Sequence, residues 1–377
     1  MLFTASRGVR RKSEVLGLNL RKFLSRARHG WSNRLLGFMP IWLLRRVFPE
    51  PILCLCYHMV SDVPVPHVKH YKFLGTAEFE QDLNYLERRF QYLSYEQILE
   101  SRSQAKRRSE SAICLTFDDG FAECLSVVRP ILLRRNATCI FFIITDLIDN
   151  RVAFFETQAS LCVDAILRHP VEKVQAISRE LGLQSKLRIA EETYRNSVPT
   201  QMALYWNQFD ERVRPMLVWL LMTQPDEAEL VDQLCRRLDI DVGQYVETQR
   251  PYLSKEQILQ LRSDGFTIGA HGCSHRRLQS LPIEQAEREI VQSCRTIRDL
   301  TGQESVPFAF PYFGGGLDRR WLAELRERHP FVGLFFDTQG QCRDAPVVVQ
   351  RIFGERINEI GSMERVLRRA WSQRFSR

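Results

Sequence analysis

The stretch Ala112-Ile113-Cys114-Leu115-Thr116-Phe117-Asp118-Asp119-Gly120 reads as a buried strand that runs straight into two adjacent carboxylates and a glycine turn. A short apolar run closed by a turn signal is the mark of such a strand. Outward from it the pattern alternates. Upstream, Ile52 to Tyr57 is a second short apolar strand, and a helix begins at Thr76 with Phe79, Leu83, Leu86 and Phe90 at three- and four-residue spacing. Ser94-x-x-Gln97 is a capping box that opens another helix. Downstream, Phe121 to Arg135 is predicted helical with a kink at Pro130, and Ala137 to Thr145 is the most apolar strand of the chain.

Residues 150–250 break this rhythm. They are charged and helix-rich, with periodicity over Val163 to Leu181 and Pro215 to Leu238, and read as a helical insertion of the kind that borders a site. Alternation resumes at a second capping box, Ser254-x-x-Gln257. A helix to Arg262, the strand Phe266 to Ala270, a helix from Pro282 to Leu300 and the strand Phe308 to Phe310 follow. Then come a helix over Asp318 to Arg328, strands at Phe331 to Phe336 and Val347 to Arg351, and a terminal helix near Met363 to Trp371. About seven strands alternating with helices predict an α/β fold with parallel pairing, closed as a distorted (β/α) barrel that carries the helical insertion.

Such folds place their chemistry at the C-terminal ends of strands. Three predicted strands end in polar clusters: Asp118-Asp119-Gly120, His271-Gly272-Cys273-Ser274-His275, and Pro311-Tyr312-Phe313-Gly314. Adjacent carboxylates repel unless a cation or a proton separates their roles, so one of Asp118 and Asp119 can bind a metal while the other serves as base. Alone, the same residues would read as a turn capping the next helix. His271 and His275, four apart, can reach one ion if the segment turns; zinc, cobalt, nickel or iron would accept two imidazoles and a carboxylate. Alone, they would be surface or capping histidines. Phe313-Gly314-Gly315-Gly316 lacks the Gly-Lys-Ser/Thr ending of a phosphate cradle and reads as a groove rim. His67 and His70 read as loop residues, with lining of the substrate entrance as the alternative, and Tyr205, Trp206 and Trp219 as core of the insertion, with sugar-stacking platforms as the alternative.

With these motifs in order, the chain resembles the polysaccharide deacetylases of the NodB-homology type, carbohydrate esterase family 4. Thr116 to Gly120 matches the family's T-F-D-D-G, His271 to His275 its H-(S/T)-x-x-H, and Pro311-Tyr312 its P-(Y/F). The resemblance implies a divalent metal, foremost zinc, held by Asp119, His271 and His275, with Asp118 as general base and the backbone N–H of Tyr312 as oxyanion donor. It implies removal of acetyl groups, foremost N-acetyl, from a polysaccharide or lipid-linked glycan. The chain departs from the pattern in three places. Gly272 stands where the family has Ser or Thr, Ala309 where many members have an Arg that pairs with the base, and no late Leu-x-His supplies the general acid. Of the eight histidines only His58 also follows a buried strand, and it resembles the early Tyr-His segment of the exopolysaccharide-modifying branch, so it is the candidate acid. Arg351, ending a predicted strand, is the candidate replacement for the missing arginine.

Composition bounds the partners. The chain of 377 residues carries a net charge of +8, but residues 1–50 hold eleven basic and two acidic side chains, leaving the rest near neutral. The tail 361–377, read as a basic helix, has five arginines against Glu364, so the body 51–360 is mildly acidic and no nucleic-acid partner is expected. The apolar run Leu35 to Leu44 is about half of a membrane span and is interrupted by Pro40, so neither a cleavable signal peptide nor a spanning helix is expected. With Trp31, Phe38, Trp42 and Phe48 among arginines, residues 1–50 read as an amphipathic segment for an anionic membrane surface; a solvated basic tail is the alternative. Ten cysteines without a C-x-x-C pair, mostly in apolar runs, indicate buried thiols in a reducing compartment. These features predict a cytoplasmic protein, peripheral on the inner face of a membrane. The alternative function is a catalytically decayed glycan-binding or scaffold protein of the same fold.

Overall fold

The computed structural model describes residues 52–69, 73–103, 112–197, 209–340, 344–355 and 362–373. The basic segment 1–50, His70, Tyr205, Trp206 and the last four residues lie outside the described residues. Among the described residues nine short strands form one sheet: β1 (Ile52–Tyr57), β2 (Gln91–Tyr92), β3 (Ala112–Phe117), β4 (Cys139–Ile143), β5 (Thr267–Ala270), β6 (Val306–Ala309), β7 (Val332–Asp337), β8 (Val348–Gln350) and β9 (Ile352–Phe353). All pairings are parallel, in the order β8-β7-β6-β5-β4-β3-β1-β9, with β2 a side pairing on β3.

Closure depends on one run of chain. β8 bonds to β7 and β9 bonds to β1, and only Arg351 separates them. The Arg351 N–H donates to the Asp337 carbonyl at 2.7 Å, and the Gly354 N–H to the Cys56 carbonyl at 2.8 Å. The final strand therefore hands over from one edge of the sheet to the other, and the sheet is nearly closed as a barrel with flanking helices. The sequence predicted one strand here, Val347 to Arg351; the handover adds Ile352–Phe353 beyond it.

The two-residue period of the strands sorts side chains into two cores. Leu53, Leu55, Ile113, Leu115, Phe117 and Phe141 pack outward against the helices. Cys54, Ala112, Cys114, Ile140, Phe142, Ala309 and Phe336 fill the barrel interior. Small residues inside leave room for bulky neighbours: a Cβ at Gly269 would collide with the Phe142 ring and lie 2.8 Å from the Pro307 carbonyl oxygen. All nine described cysteines are free, and eight are buried.

Both capping boxes form: Gln97 and Gln257 side chains accept from the Ser94 and Ser254 N–H at 3.0 and 2.8 Å. The segment after Asp118 is helical as expected, but its irregularity is a π-type turn over Cys124–Val128 that runs directly into the α-helix Arg129–Arg134. Pro130 sits in the first turn of that helix, where its missing N–H costs little.

The insertion builds its own core on helices Phe155–Arg168, Val171–Glu180, Gln184–Ser197, Arg214–Met222, Ala228–Arg237 and Val242–Gln249, with Trp219 buried inside it. Its two ends are pinned together: Asn150 Nδ2 donates to the Tyr252 carbonyl at 2.8 Å, and the Tyr252 N–H returns a bond to Asn150 Oδ1 at 2.9 Å. Tyr252 also donates through its hydroxyl to Thr157 Oγ1 at 2.8 Å. Among the described residues no helix is long and apolar enough to cross a membrane.

Candidate metal centre and active site

Five strand ends converge on one cavity of about 310 Å³. His58 follows β1, Asp118 and Asp119 follow β3, His271 and His275 follow β5, Tyr312 follows β6, and Thr338 follows β7, all lining that space. Phe154 and Glu156 enter from the insertion.

The inward parity of Cys114 and Thr116 carries on to Asp118, which lies inside the barrel. Arg351 is fully buried opposite it and grips both oxygens, Nη1 to Oδ1 at 2.7 Å and Nη2 to Oδ2 at 2.8 Å. Nη1 also donates to Thr116 Oγ1 at 3.0 Å. Burial alone would raise the Asp118 carboxyl, but the guanidinium outweighs it and holds the group well below the usual carboxylate range. At Asp119 the backbone turns left-handed, with φ at 71°, and the second carboxylate leaves that lattice. Burial pushes Asp119 up to about 6. Two neighbouring carboxylates are thus driven apart in acidity by environment, the usual ground for a division of labour.

Asp119 Oδ1 is buried and has no hydrogen-bond partner. It lies 3.5 Å from His271 Nε2 and 3.7 Å from His275 Nε2. One donor atom from each of the three residues falls within 4.8 Å of the others. The His271 Nδ1 lies 2.9 Å from the Ala309 carbonyl oxygen. A carbonyl only accepts, so Nδ1 carries the proton and Nε2 keeps its lone pair; burial lowers this imidazole to about 3, which keeps it neutral. An orphaned buried carboxylate oxygen facing two imidazole nitrogens is costly without a cation, and this donor set fits a divalent one.

The His271 to His275 turn is tied from outside. Glu289 of helix Ile283–Thr301 accepts from the N–H groups of Cys273 and Ser274 at 2.7 and 3.1 Å and from the Ser274 hydroxyl at 2.7 Å. Gly272 has φ of 78°, and a Cβ there would lie 3.2 Å from Glu289 Oε2. The position is glycine because the turn demands it.

His58 has a partner that its motif does not contain. Glu355 lies just past β9, the parallel neighbour of β1, and reaches His58 Nδ1 at 2.8 Å. Its other oxygen accepts the N–H groups of His58 and Met59 at 2.6 and 3.0 Å. Burial would lower the imidazole, but the Glu355 carboxylate overrides it and raises the group to about 9. His58 also lines the cavity.

Around these polar groups stand Val68, Phe121, Phe310 and Phe353. His67, read from sequence as a loop residue, also lines the cavity; its Nδ1 is 2.9 Å from the Tyr245 hydroxyl of the insertion, and burial lowers it to about 4. Thr338 donates to the Tyr312 carbonyl at 2.7 Å and fixes that turn, where φ is 60°. Phe313 is exposed beside Gly314, as a rim would be. Glu355, Glu289 and Glu156 were not found from the sequence; each is a lone glutamate in a segment without a motif.

The barrel and its strand-end cluster of two histidines and two aspartates define a class: parallel β/α barrels whose strand ends carry residues that could hold a divalent metal. Residues 234–329 match the family model for polysaccharide deacetylase, a span that holds the histidine and Pro-Tyr motifs and excludes Asp118 and Asp119. The structure is similar to that of the Streptococcus pyogenes deacetylase PplD in complex with acetate, at 15% identity and a TM-score of 0.50, over 85% of this chain and 99% of that one. It is also similar to IcaB from Ammonifex degensii, at 16% identity and a TM-score of 0.49, over 86% and 97% of the two chains. A third is BC0361, a polysaccharide deacetylase from Bacillus cereus, at 13% identity and 0.48, over 85% and 69%. At these identities the likeness is one of fold. No curated protein sequence matches the chain significantly.

Proposed function

We propose that the chain is a metal-dependent carbohydrate deacetylase that hydrolyses the amide of an N-acetylated sugar in a polysaccharide or lipid-linked glycan. The observation that carries this reading is the meeting of three units on one cavity: the Asp119, His271 and His275 donors, the Asp118–Arg351 pair and the His58–Glu355 pair. A divalent ion on the three donors, zinc foremost and cobalt, nickel or iron by the same chemistry, would supply Lewis acidity to the acetyl carbonyl and to water. Asp118, ionised by Arg351, takes the proton from the attacking water as the new C–O bond forms. The Tyr312 N–H donates to the oxyanion. His58 gives its proton to the amine nitrogen as the C–N bond breaks, leaving acetate and a free amino sugar.

The three departures that favoured a decayed binder lose their weight here. Arg351 stands with the base in place of an arginine at Ala309, His58 offers an acid, and Glu289 supports the turn where Gly272 has no hydroxyl. The basic segment 1–50 would hold this chemistry near an anionic membrane surface. The decisive experiment is acetate release from a panel of N-acetylated glycans. Protein stripped by chelator should lose the activity and regain it with zinc or cobalt; a rate that chelation leaves untouched overturns the metal-dependent reading.

The acid has its own signature. His58 works protonated, so kcat/KM should hold on the acid side and fall as pH rises through the imidazole, at or below about 9 because a bound cation pulls it down. Glu355→Gln removes the charge that raises the imidazole, and the falling limb should move down by about one unit or more. A limb that stays in place in this variant would remove His58 from the acid role.

A further inference from the structure

The two candidate histidine ligands are held differently. His271 takes its orientation from the barrel, through the Ala309 carbonyl at 2.9 Å. The corresponding nitrogen of His275, Nδ1, is buried without a hydrogen bond, and the oxygen it faces is Glu156 Oε1 at 3.6 Å. Glu156 belongs to the insertion, in the first turn of helix Phe155–Arg168, and its Oε1 accepts a hydrogen bond from the Tyr312 hydroxyl. Three rings pack beside the His275 imidazole. Phe154, also from the insertion, lies at 4.6 Å and near-perpendicular, Tyr312 at 4.9 Å on a tilted plane, and His271 at 4.9 Å. The Glu156 carboxylate stands at Nδ1.

An imidazole that ligates a metal through one nitrogen donates the proton of the other to an acceptor, which fixes both tautomer and orientation and raises ligand basicity. We infer that Glu156 is the positioning residue for His275: a carboxylate supplied by the helical insertion that holds the ring with Nε2 toward Asp119 and so makes the insertion part of the metal centre. This rests on reading Asp119, His271 and His275 as the ligand set. It gives the insertion a role beyond covering the cavity, since one end of the Glu156 network is a metal ligand and the other is the Tyr312 turn.

The test is zinc affinity, measured by calorimetry on stripped full-length protein, with the melting temperature of each metal-free variant recorded alongside. Glu156→Ala should bind zinc about 10- to 100-fold more weakly than the parent, the loss expected for removing such a partner. Glu156→Gln, whose amide oxygen can still accept from Nδ1, should recover part of that loss. Parental zinc affinity in Glu156→Ala overturns the inference while leaving the ligand set standing. So does a fall in melting temperature with no change in affinity, which is what a purely structural glutamate would show. A parent protein that binds no zinc overturns the ligand set itself and this inference with it.

Discussion

Asp118→Asn should lower acetate release by about three orders of magnitude, within the range that a general base contributes. Asparagine has the shape of aspartate but cannot take a proton from water, so the loss should appear in kcat. Zinc affinity should change little, because the proposed ligands are Asp119, His271 and His275, while Asp118, which stands in a second group with Cys56 and His58, is engaged through both oxygens by Arg351. Arg351 holds the Asp118 carboxyl well below the usual carboxylate range, so the parental base is ionised throughout neutral conditions. The factor lost should therefore be the same at every pH between about 6 and 9. Rates within tenfold of the parent, or a parallel collapse of zinc binding, would assign Asp118 a different role. Asp119→Asn is the natural counterpart, since it should weaken zinc binding first and activity as a consequence. The two adjacent carboxylates are then separated by which measurement each one moves.

How much of this was legible in the sequence follows from where the signals lie. Strands β1, β3 and β4 are runs of apolar residues that reach across the whole strand, and the parallel order follows from their alternation with helices. The cavity residues Asp118, Asp119, His271 and His275 were readable because each follows such a run at short range. The supporting carboxylates were not. Glu355 meets His58 across 297 residues only because β9 lies parallel to β1, and β9 is two residues long, too short to carry a period. Glu289 sits on a helix whose periodicity reports its buried face and says nothing about one glutamate at its edge. Glu156 opens a helix inside the insertion, where an acidic residue in the first turn is ordinary on local grounds. At Pro130 the helical run expected from sequence is present, and its irregularity takes the form of a π-type turn just before the proline. Motifs thus marked the polar groups that line the cavity, and the topology supplied their partners.

Arg351 carries the second large effect, on stability as well as rate. Its side chain is fully buried, and its guanidinium meets Asp118 through two hydrogen bonds. Arg351→Ala leaves a buried carboxylate unpaired, which should cost about 3–5 kcal/mol in denaturant unfolding. The backbone handover from Asp337 to β9 survives the substitution, so the loss belongs to the side chain. The rate should change its pH dependence too. With the guanidinium gone, burial is opposed less and the Asp118 carboxyl rises; a base whose pKa rises is lost as pH falls, so an acid limb absent from the parent should move toward neutrality. Removing both charges separates the two consequences. Asp118→Asn combined with Arg351→Met leaves neither ion stranded and should regain much of the stability of Arg351→Ala, since replacing a buried pair by apolar volume is often neutral. The same double variant should remain inactive, because it has no base. Were it as unstable as Arg351→Ala, the cost would lie in packing at the barrel seam; were Arg351→Ala itself parental in stability and pH profile, the pair would have no part in shaping the base.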